Sequence, residues 1–134
     1  MAEAAPGVRE RPLSPYMIWR WHVTMAASIL HRATGSALYV GMLILAGWAV
    51  ALASGKEAYD AYQGLLGSIP GKVVLFGLTV CVFFHLANGV RHLTWDMGKG
   101  FAPRTANLTA VVAYAFAVAA AVAVWALAAA TGAL

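Results

Sequence analysis

Charge is scarce in this chain. Only 10% of its 134 residues are Asp, Glu, Lys or Arg, where a soluble domain carries about 25%. That shortage, with 62% hydrophobic residues, excludes an ordinary soluble domain and points to a membrane protein. Cysteine is almost absent. The lone Cys81 excludes an internal disulfide and a metal site built of cysteines, and it reads as a small core residue in mid-span. Acidic residues are scarce, five in all. None stands within an apolar span, so the embedded carboxylate that commonly couples a transporter to cations or protons is missing.

The few charges are clustered, which leaves three uncharged runs: Ala33 to Ser54, Val73 to Val90 with His85 neutral, and Thr105 to Leu134. A bilayer-crossing helix needs about 20 mostly apolar residues, and each run meets that need. The expected fold is therefore all-α, with membrane helices over residues 27–53, 72–96 and 107–131. The chain reads as one transmembrane domain over 1–134, with no room for a separate soluble domain. Pro6, Pro12 and Pro15 argue against helix in residues 1–15. Residues 16–26, YMIWRWHVTMA, mix aromatics with cations, as a headgroup-level segment does. Trp19, Trp21 and Trp95 read as belt residues at that level. A second interfacial piece, AYDAYQGLLGSI, precedes Pro70-Gly71. Gly98, Gly100 and Pro103 mark a turn before the third span, whose alanines suit close contact with another helix. The first apolar run is too long, and its polar leader too extended, for a cleaved signal peptide.

A sequence pI near 9.6 invites a nucleic-acid reading, which the arrangement of charge opposes. Arg9, Arg11, Arg20 and Arg32 precede the first span, and Arg91, Lys99 and Arg104 lie between the second and third. Only Lys56 and Lys72 lie between the first and second. This bias places the N-terminus in the cytoplasm and accounts for the pI without nucleic acid.

Ionisable residues inside spans mark function by default. His85 lies six positions before Arg91, about 9 Å further along the helix at 1.5 Å per residue. Imidazole binds metals and serves as an axial ligand of haem iron. A histidine hydrogen-bonded to a neighbouring helix, or a proton relay, would fit the position too. Asn88, Gly89 and His92 follow at i+3, i+4 and i+7, on the same face, and Gly89 leaves a notch for a flat ring. His92 is about 10 Å from His85 along the axis, so the two cannot bind one iron. A second ligand would come from another helix, with His31 the only deep candidate in this chain and a partner subunit the better source. Ser28, His31, Arg32 and Gly35 share one face of the first span by the same spacing. Ser28 and Arg32 can donate to a carbonyl oxygen, and His31 or Arg32 can meet a haem propionate. Arg32 can equally snorkel to the headgroups. Asp96, four residues after His92, reads as its local charge partner.

Three stretches resemble one family together: RPLSPY at 11–16, SILHRATG at 28–35 and HLANGVRHLTWDMGKG at 85–100. They are similar to the large cytochrome b membrane-anchor subunit of succinate dehydrogenase, respiratory complex II. The joint occurrence of SxxHRxTG and HxxNGxRHLxWD is specific, while the third span adds only hydrophobicity. The resemblance implies a three-helix half of a six-helix, two-subunit anchor. It implies haem b with His85 as one axial ligand and the other from the small cytochrome b anchor subunit. Ser28 and Arg32 would line the ubiquinone site, shared with the iron–sulfur subunit, while His31 and Arg32 lie near the haem propionates. His92 and Asp96 match the motif and would support that region. The chain would have no catalytic activity of its own. It would serve the enzyme through the iron–sulfur and flavoprotein subunits, linking the tricarboxylic acid cycle to aerobic respiration. The likeness to mitochondrial members implies a bacterial cytoplasmic membrane and ubiquinone. Tyr16 departs from the histidine that often follows SP. The competing readings are a haem-free structural anchor, a small helical transporter, and a di-haem cytochrome b supplying both ligands from one chain.

Overall fold

The computed structural model describes residues 20–133. The proline-rich segment, Tyr16 and Trp19 lie outside the described residues, as does the first part of the headgroup-level segment. Four helices follow: α1 (Val23–Ala53), α2 (Lys56–Gly67), α3 (Ile69–Asp96) and α4 (Pro103–Ala130). All but α2 are long and apolar enough to cross a membrane. At 31 residues, α1 is about 46 Å long, longer than the roughly 30 Å hydrocarbon layer. The protein is an all-α, multi-pass membrane protein.

Each long helix begins earlier than the sequence suggests. α1 starts at Val23 rather than 27, after His22 in extended conformation. α3 starts at Ile69 rather than 72, with Pro70 inside its first turn and the Ser68 hydroxyl accepting from the Gly71 amide. α4 starts at Pro103 rather than 107. The prolines mislead for one physical reason. A first-turn residue has no helical acceptor for its N–H, so proline loses nothing there and its fixed φ suits the helix. The turn between α3 and α4 does use its glycines, since Gly98 and Gly100 both take positive φ that side-chain-bearing residues rarely adopt.

α2 was expected only as an interfacial piece. It is a regular helix, with Lys56 paired to Asp60 on its exposed side and its other face laid back on α1. The Tyr62 hydroxyl donates to the Ile44 carbonyl at 2.8 Å. It fits there because residue 47 is glycine: a Cβ at that position would lie 2.8 Å from the hydroxyl oxygen.

The core is small and built largely of alanine. Ala110, Ala113, Ala117 and Ala121 are buried along one stripe of α4; Ala110 and Ala117 pack with Ala27 of α1 and Phe84 of α3, whose ring stacks on Tyr114 at 5.1 Å. In lipid, where helix contact depends on packing rather than on excluding water, small residues let backbones approach. The expected alanine face therefore exists, and it meets a helix of this same chain. Trp125 ties α4 to α3 through an indole N–H bond to the Thr79 hydroxyl at 3.2 Å. Cys81 is a free, half-buried thiol. Large apolar side chains elsewhere point outward, among them Tyr39, Leu43 and Val50 on α1.

Candidate functional site

Helices α1 and α3 meet at the end of the bundle that carries Arg32 and Arg91, and they gather three histidines there. The rings of His31 and His85 stack with centroids 4.0 Å apart and planes 18° apart. His92, two turns further along α3, stands 5.0 Å from His31. His31 thus sits between the two α3 histidines, a relation that one helix's spacing could not reveal.

His85 is held by α1. Its Nδ1 lies 3.2 Å from the His31 carbonyl and 3.3 Å from the Thr34 hydroxyl. The Thr34 hydroxyl itself donates to the His31 carbonyl at 3.0 Å. A carbonyl can only accept, so Nδ1 carries a proton, and in the neutral ring Nε2 keeps its lone pair. That is the tautomer a histidine ligand needs, with the far nitrogen anchored and the near one free to bind metal. Gly35 makes room for the ring: a Cβ there would stand 3.1 Å from His85 Cε1. One turn after His85, no other group comes within 4 Å of where a Gly89 Cβ would be, so the notch read from the sequence is open. These features fit a haem held from one side by His85. A metal ion held by side chains alone is a different matter. No group of three or more His, Cys, Asp or Glu suited to one occurs among the described residues.

The stack also bears on the second ligand. Two imidazoles on opposite sides of one metal hold their nitrogens about 4 Å apart, at about 2 Å per bond, with the ring centres further out. Rings whose centres are 4.0 Å apart leave no space for iron and porphyrin between them. His31 in this position is not the second axial ligand. Its Nδ1 is buried without a hydrogen-bond partner, an unusual state for a polar atom and one that a further group could satisfy.

Ser28 and Arg32 share the face the spacing assigned to them, Ser28 half-buried and Arg32 exposed. Serines and threonines in these helices commonly return their hydroxyls to a carbonyl of the preceding turn, as Ser36 does to Arg32 and Thr94 to Val90. Ser28 makes no such bond, and the Arg32 guanidinium has no partner among the described residues. Among the described residues, both keep their donors free.

One expectation needs correction. Asp96 does not pair with His92: it is exposed, and Lys56–Asp60 is the only ion pair among the described residues. His92 is flanked instead by the edge of Trp95, with centroids 5.1 Å apart. Asn88, three residues after His85, has its partners elsewhere. It is buried and donates to the Phe84 carbonyl, while its own carbonyl oxygen accepts from Arg91 Nη1. Arg91, which the sequence presents only as a topology-setting charge, is 8% exposed. Its Nε donates to the Thr109 hydroxyl and its Nη2 to the Ala106 carbonyl, each at 3.1 Å. The Trp95 ring lies 4.8 Å from its guanidinium carbon. Asn88 and Arg91 stand at i, i+3 on α3, but the partners of Arg91 on α4 could not be read from the sequence. Thr34, which no argument from the residues had singled out, was hidden for the same reason.

Known proteins match this frame closely. The family model described as succinate dehydrogenase/fumarate reductase transmembrane subunit covers residues 8–124. The succinate dehydrogenase cytochrome b556 subunit of Rickettsia felis is 37% identical over 102 residues, which are 75% of this chain and 78% of that one. The corresponding subunit of Rickettsia bellii is 39% identical over 101 residues, with the same coverage. The mitochondrial succinate dehydrogenase cytochrome b560 subunit of Sus scrofa is 41% identical over 93 residues, 67% of this chain and 55% of the relative. The match runs through all three long helices and through the histidine cluster between α1 and α3, and the chain belongs to the family of succinate dehydrogenase and fumarate reductase transmembrane subunits.

Proposed function

We propose that this chain is the cytochrome b anchor through which a succinate dehydrogenase delivers electrons to ubiquinone. It acts as one transmembrane domain and forms half of a six-helix anchor with a small cytochrome b subunit. An iron–sulfur subunit and, behind it, a flavoprotein subunit dock on the Arg32 end. In the sequence, seven basic residues precede the first span or lie between the second and third, against two between the first and second, and this bias supports a cytoplasmic face there in a bacterial inner membrane. The outward-facing apolar side chains of α1 suit contact with lipid and with the second anchor subunit. Family membership weighs against a transporter, and the His31–His85 stack weighs against one chain supplying both ligands of a haem.

The observation that carries the reading is the contact of His85 Nδ1 with the His31 carbonyl at 3.2 Å: a carbonyl only accepts, so Nδ1 donates and Nε2 is left to bind. His85 would hold haem b from this chain, the second axial ligand coming from the small subunit. Haem b, when bound, supplies a one-electron reservoir beside the quinone pocket. His31, with its unsatisfied Nδ1, and Arg32 would meet the propionates.

Ser28 and Arg32 act on the quinone. Its reduction takes up two electrons and two protons and turns two carbonyls into hydroxyls. The Ser28 hydroxyl donates to one carbonyl and fixes its position. The Arg32 guanidinium donates to the same oxygen and stabilises the negative charge that grows there as electrons arrive, the effect an aimed cation has most strongly where water is excluded. His92, 5.0 Å from His31, would support the pocket wall, with Asp96 one turn further along α3.

The test is a reduced-minus-oxidised spectrum of the complex assembled with its partner subunits, wild type beside His85→Ala. A b-type signal lost in the variant is the expected result. An unchanged signal would move the iron to another residue and overturn the assignment.

A further inference from the structure

Thr34 belongs to the motif SILHRATG but has no part in the quinone contacts or the propionate contacts. Its side chain faces α3, on the side of α1 that also carries His31 and Gly35. Its hydroxyl bridges two groups: it donates to the His31 carbonyl at 3.0 Å and lies 3.3 Å from His85 Nδ1. Because its single proton goes to the carbonyl, the hydroxyl oxygen can only accept from His85. The His85 Nδ1–H is thus shared between two acceptors on α1, one of them fixed in the helix backbone. Beside them, the missing Cβ of Gly35 lets the ring come within 3.1 Å of that vacant position.

We propose that Thr34 is a positioning residue for the haem: with the His31 carbonyl and the gap at Gly35 it forms a cradle that sets the tautomer, orientation and basicity of His85. This rests on His85 being the axial ligand. A threonine that bonds back to its own helix is ordinary. What sets Thr34 apart is the second contact, across to a ring on another helix. An Nδ1–H that donates to two oxygens leaves more electron density on Nε2. A richer donor favours ferric over ferrous iron, so the cradle lowers the haem midpoint potential and tightens haem binding.

The experiment uses the assembled complex carrying Thr34→Val, Thr34→Ala or Thr34→Ser, beside wild type and His85→Ala. It reads haem per complex, the haem midpoint potential and the electron paramagnetic resonance g-values of the ferric haem. Valine keeps the shape of threonine and removes the acceptor. It should raise the midpoint potential, shift the g-values and weaken haem retention by about ten-fold, the lower end of what losing such a partner costs. Alanine should do the same, and serine should restore wild-type values. Wild-type potential, g-values and haem content in the valine and alanine variants would overturn the proposal. So would failure of both to assemble while serine assembles, since that result marks a folding role. The His85→Ala control separates the two levels. If it retains the haem signal, the ligand assignment itself fails. If it loses the signal while Thr34→Val is unchanged, only the cradle fails.

Discussion

Arg91 of α3 donates from Nε to the Thr109 hydroxyl of α4 at 3.1 Å, and its other nitrogens reach Asn88 and the Ala106 carbonyl. A guanidinium offers five donors in a rigid plane, which lets one residue tie two helices at three points. Removing it strands the buried Asn88 oxygen and leaves the α3–α4 clamp open. Arg91→Ala should destabilise the assembled complex by about 1–3 kcal/mol, the cost of an unsatisfied buried polar group. Arg91→Lys should recover only part of that, because an ammonium cannot span the same acceptors. Thermal denaturation of the detergent-solubilised complex measures both.

Ala117 is 1% exposed and belongs to the cluster that holds Phe84. Ala117→Leu inserts a branched side chain where two backbones meet and should cost about 1–3 kcal/mol through overpacking. Ala119→Leu, on the outer side of the same helix, should stay within about 0.5 kcal/mol. The two variants can be compared by melting temperature. Equal shifts would mean that the alanine stripe carries no special packing.

The quinone contacts predict a split between two activities. Arg32→Leu should lower succinate-driven ubiquinone reduction by about 100-fold or more, as loss of an aimed donor does. Succinate oxidation with an artificial electron acceptor should persist, because that route bypasses the pocket. Ser28→Ala should reduce quinone turnover in the same direction but less, since it removes a neutral donor. An Arg32→Leu complex with full quinone reductase activity would return Arg32 to the role of a headgroup anchor.

The seat of Tyr62 on α1 is testable apart from electron transfer. Tyr62→Phe removes the bond to the Ile44 carbonyl and should cost about 1 kcal/mol. Gly47→Leu fills the space the hydroxyl occupies and should lift α2 away. Hydrogen exchange of the backbone amides over residues 56–67 should speed up in both variants, more in the second. Haem content should stay at the wild-type level.

Much of this protein is legible in its sequence. Hydrophobic length and scarce charge determine three spans, because a bilayer rejects anything else of that composition. Periodicity placed Ser28, His31, Arg32 and Gly35 on one helical face, since 3.6 residues per turn is a local property. The motifs carried the family. Helix starts were misjudged at Pro70 and Pro103, where proline reads as a breaker although the first turn welcomes it. What the sequence could not decide is which residues of different helices meet. Arg91 looked like a surface charge until α4 supplied Thr109 and the Ala106 carbonyl as partners. Asp96 looked like His92's partner until Trp95 proved to flank that histidine. Thr34 gained a role only when α1 packed against α3 and brought its hydroxyl to His85 across 51 positions of sequence. Local patterns follow from the backbone's own geometry. Contacts between helices depend on the rotation and depth at which each packs, and those are fixed jointly by small residues such as Gly35, Gly47 and the alanines of α4.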